Sequence, residues 1–210
     1  MQDVEQDKAV AREILCRFLA ACFYEPGPEF VEEKLFESML EVAGRIDPDL
    51  KARAGRLGKA FFAEEAENLL VDYTQLFLGP NHIAAKPYGS VWLEGEHGLM
   101  QDSTMAVQEL YAEGGFEIDE DFHELPDHVA VELEFLYLLI HDGNEADHSG
   151  EAAVSAEIRA LRKRFIEGHL GAWIGPFAAA VSTGANCDFY RELAALTEQF
   201  VKLEKQVLLN

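Results

Sequence analysis

The sequence predicts an all-α protein, and three observations carry that expectation. Alanine, leucine and glutamate are frequent while β-branched residues are sparse, a balance that favours helix over strand. Apolar residues recur at the helical period through most windows. Pro26, Pro28, Asp47-Pro48, Gly79-Pro80 and Gly114-Gly115 then punctuate the chain between those windows, as turn residues do. With 210 residues the chain can bury one sizeable core. The expected architecture is a single helical-bundle unit of about ten helices.

Taken in order, a first helix is expected from about Val4 to Tyr24, with Ala11, Ile14, Leu15, Phe18 and Cys22 on one face. A second runs from about Phe30 to Ala43. Asp47-Pro48 starts a third that reaches Phe62, and a fourth spans about Glu64 to Leu78. Gly79-Pro80 stops the fourth. From Asn81 to Leu99 no helical or strand period survives, and the segment is rich in glycine and aromatics. Long connections of that kind are usually functional or disordered. Its Tyr88, Val91, Trp92 and Leu93 are too apolar for a linker and are expected to lie against the core. Asp102-Ser103-Thr104 supplies a cap for the next helix, which ends at Gly114-Gly115.

The central stretch is ELPDHVAVELEFLYLLI, Glu124 to Ile140. Proline at a first helical turn loses no needed hydrogen bond, and Asp127 is the expected cap. The apolar run that follows contains Glu132 and Glu134, which point about 160° apart on a helix. They cannot share one solvated stripe, so at least one needs a protein partner. His128 lies one turn before Glu132 on the same face. Residues 141–151 read as a polar, glycine-containing linker and as the best lobe boundary. The expected division is 1–142 for an N-terminal lobe, 143–151 for the hinge and 152–210 for a C-terminal lobe. That last part holds helices from about Ala152 to Glu167, Leu170 to Val181 and Asp188 to Leu209. The first of these carries the basic cluster Arg159, Arg162, Lys163 and Arg164.

Composition excludes several function classes. With 17 basic and 39 acidic residues, the formal charge is −22. A nucleic-acid binder needs the opposite footprint, and docking to anionic lipid is disfavoured for the same reason. A basic protein or peptide is the natural electrostatic partner. Cys16, Cys22 and Cys187 form no CxxC pair and leave an odd thiol in any disulfide scheme, which fits a reducing compartment. No signal-peptide pattern opens the chain, and no run approaches the ~20 apolar residues of a membrane span. A cytoplasmic location is expected.

Catalytic signatures are missing: the chain has no GxSxG, GxxxxGK[ST], GxGxxG or HExxH, motifs whose spacing carries nucleophile, phosphate or zinc chemistry. His128 and Glu132 at i, i+4 supply two metal ligands, fewer than a site needs. No catalytic residues, metal or cofactor are expected.

Four blocks, in order, resemble one known family. They are YTQLFLGP (Tyr73 to Pro80), PYGSVWLEGEHGLMQDST (Pro87 to Thr104), a helix ending in YAEGGF, and LPDHVAVELEFLYLL. Together they resemble the TorD/DmsD/NarJ family of molybdoenzyme maturation chaperones. Gln101 departs from the pattern, which usually has glycine there, and puts the turn before Asp102 in question. The resemblance implies a non-enzymatic, all-α protein with a larger N-terminal and a smaller C-terminal part joined by a hinge. It also implies binding to the twin-arginine leader, and to the apo-form, of a molybdopterin-containing catalytic subunit. Export would be delayed until cofactor insertion.

Carried over by residue, the resemblance places leader binding on Trp92, Leu93, Gly115, Asp127 and His128. Tyr88, Ser90, Asp102 and Ser103 lie in the same blocks and join them, with Glu132 in a structural polar role beneath. Two other readings are open from the residues: a helical interaction or oligomerisation protein, monomeric or a domain-swapped homodimer, and a nucleotide-responsive regulator.

Overall fold

A computed structural model describes residues 2–79, 83–95, 100–118 and 124–209. It contains eleven α-helices and one π turn among the described residues. These are α1 (Gln2–Ala21), α2 (Glu29–Glu32), α3 (Leu35–Ile46), α4 (Pro48–Ala63), α5 (Ala66–Tyr73), the π turn Thr74–Leu78, α6 (Gly89–Leu93) and α7 (Asp102–Glu113). Then follow α8 (Val129–His148), α9 (Ala152–Gly168), α10 (Leu170–Gly184) and α11 (Asp188–Leu209). The only β pairing among the described residues is an isolated antiparallel bridge between Tyr88 and His128. None of the described helices is long and apolar enough to cross a membrane.

The all-α expectation holds, and several boundaries move. The expected second helix is broken at Lys34, which adopts a left-handed φ of 51°. The break lets Phe30 of α2 meet Phe36 of α3 edge-on at 6.1 Å, an arrangement that suits the ring quadrupoles. Asp47 starts α4 as expected, its carboxylate accepting the amides of Asp49 at 2.8 Å and Leu50 at 3.2 Å. The fourth helix changes its winding at Thr74. In that π turn the carbonyls of Gln75 and Leu76 accept the amides of Ala84 and Ala85, so the wider turn secures the chain that follows. Gly79 ends the turn, while Pro80 and residues 81–82 and 96–99 of the expected loop lie outside the described residues.

Residues 141–148, expected as linker, continue α8 to His148. Their polarity is answered by α1: His141 and Asn144 bond to the Glu13 carboxylate, each at 3.1 Å. The helix therefore stops at Ser149-Gly150, where Gly150 takes φ +74°, a conformation glycine adopts without strain.

α8 is the central element, packed against α1 on one side and α9 on the other. α11 lies across α10 and α4, and Phe36 and Phe61 meet Phe189 of α11 at 5.9 and 5.5 Å. All three cysteines are buried and unpaired; Cys16 and Cys22 are core residues, as the periodicity of α1 implies. Asp72, 2% exposed, fixes the start of α11 by accepting the amides of Asn186 and Cys187.

Arg162, part of the basic cluster seen in the sequence, is buried rather than solvated. It joins Arg12 around the fully buried Glu204, with N–O distances of 3.9 and 2.9 Å.

Candidate functional site

The aromatic loop folds back onto the head of α8. Gly89 donates its amide to the Asp127 carbonyl, and Val129 donates to the Pro87 carbonyl, both at 2.8 Å. These two bonds make the Tyr88–His128 bridge. They bring Tyr88, Ser90, Asp127, His128 and Glu132 to one place, with Trp92 and Leu93 on the attached helix α6. The sequence shows no period in this loop, yet Gly89–Leu93 forms a short helix. Its N-terminus is held from outside: the Ser90 amide donates to Asp127 Oδ2 at 2.9 Å.

Asp127 thus caps α6 and not α8, correcting the expected role. The cap of α8 is His128, whose Nδ1 accepts the Ala130 amide at 3.2 Å. That bond fixes the neutral tautomer with its proton on Nε2. Burial lowers the imidazole pKa to about 4, so His128 stays uncharged near neutrality. Asp127 and His128 are only 1% and 3% exposed; both hold the junction together from inside.

Glu132 is fully buried beneath α6. Its Oε2 accepts the indole N–H of Trp173 at 3.0 Å, so its partner is α10 and not His128. Burial drives the Glu132 carboxyl well above the ordinary carboxylate range, and the Asp127 charge adds to the rise against the Trp173 bond. Gly89 is required here by close approach: a Cβ would lie 2.9 Å from both Glu132 Oε1 and Trp173 Nε1.

Glu134, pointing elsewhere, accepts the Tyr24 hydroxyl at 2.8 Å. Both carboxylates in the apolar run therefore have protein partners. The expected structural role of Glu132 acquires a specific form, a strut between α8 and α10.

Trp92 and Leu93 are half-buried and pack on the core. The Trp92 indole N–H donates to the Lys86 carbonyl at 2.8 Å, and the ring stands edge-on to Phe177 at 6.2 Å. Tyr88, also half-buried, donates its hydroxyl to Glu124 at 3.1 Å.

Asp102 and Ser103 open α7, which Asp102-Ser103-Thr104 does not cap by itself. Glu94, at the end of α6, accepts the Ser103 amide at 2.6 Å, and its own pKa is lowered by bonding to Ser103 and Asp102. Gln101 precedes the helix at φ −87°, so no glycine is needed there. Its side-chain amide donates to the carbonyls of Ser90 and Gly95 at 3.3 and 3.1 Å, tying α7 to α6. Gly115 closes the far end of α7 at φ +69°, exposed, with nothing within 4 Å of a Cβ position. A 12-residue helix separates it from Asp102 by about 18 Å, and it follows the end of α7 from which Tyr111 reaches Pro126.

Sequence reasoning missed Tyr24, Trp173 and Tyr111. Tyr24 is stacked on His128 at 6.2 Å, and the Tyr111 hydroxyl donates to the Pro126 carbonyl at 2.7 Å. No local spacing marks them, because each reaches the junction from a distant part of the chain. No group of three or more His, Cys, Asp or Glu among the described residues could hold a metal ion.

An all-helical scaffold here pins an aromatic segment to a buried polar helix head. Residues 43–179 match the family model described as nitrate reductase delta subunit. The chain belongs to that family.

Among curated proteins, it is 34% identical over 146 residues to the chaperone protein TorD of Vibrio parahaemolyticus. That match spans 68% of this chain and 65% of the relative, slightly under two thirds of its length. It is 29% identical to the chaperone protein TorD of Vibrio atlanticus, over 85% of this chain and 82% of that one. It is 27% identical to the Tat proofreading chaperone DmsD of Salmonella typhi, over 73% and 75%. A solved structure from Archaeoglobus fulgidus, described as a redox enzyme maturation protein, shares the fold with a TM-score of 0.54 and 22% identity. It covers 91% of this chain and 93% of that chain.

Proposed function

We propose that this protein is a cytoplasmic, system-specific chaperone for a molybdopterin-containing oxidoreductase. It binds the twin-arginine leader, and the apo-form, of the catalytic subunit and delays export until the cofactor is inserted. The observation that carries this reading is the junction of α6 with α8. There Tyr88, Trp92 and Leu93 stand half-buried beside a buried carboxylate with one unpartnered oxygen, Asp127 Oδ1. Half-buried aromatic and aliphatic groups suit the apolar part of a leader, and carboxylates suit its arginines. The formal charge of −22 accelerates encounter with a basic peptide.

Isothermal titration against a panel of twin-arginine leaders tests the reading. Binding at micromolar Kd or tighter is expected for a cognate leader, weakened by Trp92→Ala. Failure of every leader to bind would exclude it.

A further inference from the structure

Two carboxylates beside the junction are held by phenols and are paired with no cation among the described residues. Tyr24 lies nearly parallel to the His128 imidazole, 15° between planes at 6.2 Å. Tyr88 meets the same ring edge-on at 5.5 Å. The Tyr24 hydroxyl donates to Glu134 Oε1 at 2.8 Å, and the Tyr88 hydroxyl donates to Glu124 Oε2 at 3.1 Å. Each glutamate thereby keeps one oxygen that accepts no hydrogen bond from any described residue.

Because both phenols meet the same His128 ring, the glutamates they hold lie at the same junction. Both Glu134 and Glu124 raise the Tyr24 phenol pKa in addition to burial, and Glu124 also raises that of Tyr88. Neither is ion-paired among the described residues. Elsewhere several arginines are committed: Arg45 to Asp7 and Glu41, Arg53 and Arg56 to Glu192, Arg164 to Glu113. Asp127, with Oδ1 buried and lacking a hydrogen-bond partner, adds its charge beside the Tyr88 phenol. His128 does not supply the missing positive charge, since its Nδ1 is occupied by the Ala130 amide and burial keeps the ring neutral.

We propose that Tyr24, Tyr88, Glu124 and Glu134, grouped about His128, form a cage for one guanidinium group of the basic leader segment. The inference rests on the leader-binding reading and adds Tyr24, Glu124 and Glu134 to the site. A guanidinium fits better than an ammonium. Its planar fork reaches two separate carboxylate oxygens at once, and its flat face lies against aromatic rings. The phenols orient the carboxylates before the ligand arrives, which lowers the ordering cost on binding.

The test uses the full chain, a twin-arginine leader that it binds, and the same leader with both arginines changed to lysine. Wild type is expected to prefer arginine by about tenfold, the scale of one charge-assisted hydrogen bond. Glu134→Gln and Glu124→Gln are expected to reduce that preference to near unity, with Tyr24→Phe intermediate. Unchanged preference in variants whose melting temperature matches wild type would overturn the cage while leaving the leader reading intact. If wild type binds no leader, both fall.

A measurement on the wild type needs no variant. Methylguanidinium is expected to shift the His128 ring resonances at concentrations where methylammonium does not. Equal response to both, or none, would also overturn the cage.

Discussion

The Ser90 amide donates to Oδ2 of Asp127 at 2.9 Å, so the residue just before the cap of α8 caps α6 instead. One carboxylate thereby fixes the aromatic segment to the central helix. Both residues are essentially inaccessible to solvent, and a lost partner would leave a buried amide unsatisfied. Asp127→Ala is expected to cost about 1–3 kcal/mol of stability, and Asp127→Asn, whose amide oxygen still accepts, distinctly less. Urea unfolding of the two variants checks this; equal losses would show that the cap is not what Asp127 contributes.

Gly89 lies where α6 closes over the Glu132–Trp173 bond. A Cβ there, 2.9 Å from both Glu132 Oε1 and Trp173 Nε1, must lift α6 or separate the pair. Gly89→Ala is expected to destabilise the protein by about 1–3 kcal/mol, as overpacking typically does. Trp173 is fully buried, so its fluorescence should move to longer wavelength as water reaches it. An unchanged spectrum and unchanged stability would refute the close-approach argument.

Glu132 and His128 give opposite pH dependences. The folded-state pKa of Glu132 is raised, so the unfolded chain releases that proton at lower pH than the folded one. Stability from this group is full below about pH 4.3, the unperturbed glutamate value, and falls as pH rises toward the folded pKa. Glu134 and Glu204, also raised by burial, tilt the same way. His128, lowered to about 4, loses stability as pH falls from about 6.5 toward that value.

Glu132→Gln preserves an acceptor for Trp173 and removes the titration. Its stability relative to wild type should therefore increase between pH 5 and 8. Parallel urea curves across that range would refute the assignment.

Glu204 is fully buried between Arg12 and Arg162. Removing one member of a buried ionic group leaves uncompensated charge, typically costing about 3–5 kcal/mol. Glu204→Ala is expected in that range, with little relief from added salt because the group is shielded from solvent. Chemical denaturation at low and high ionic strength provides the measurement. A loss under 1 kcal/mol would mean that both arginines find other acceptors.

The sequence by itself determined the helical class, most helix boundaries and the blocks that mark the family. Those features are local: the 3.6-residue period, Asp47-Pro48 as a helix start and Gly115 as a helix end are read within a few residues of chain. It also singled out Tyr88, Ser90, Asp127, His128 and Glu132, which do meet at one junction. Their partners were decided only by the tertiary structure.

Asp127 and Ser90 are 37 positions apart, Glu132 and Trp173 are 41, and Tyr24 and Glu134 are 110. No periodicity encodes such pairs, because each depends on how separate helices pack. The same limit hid the continuation of α8 through residues 141–148, whose polar side chains read as a linker until Glu13 of α1 lay beside them. Local physics fixes where a helix can form; burial against distant helices decides which polar groups pair and where an aromatic segment comes to rest.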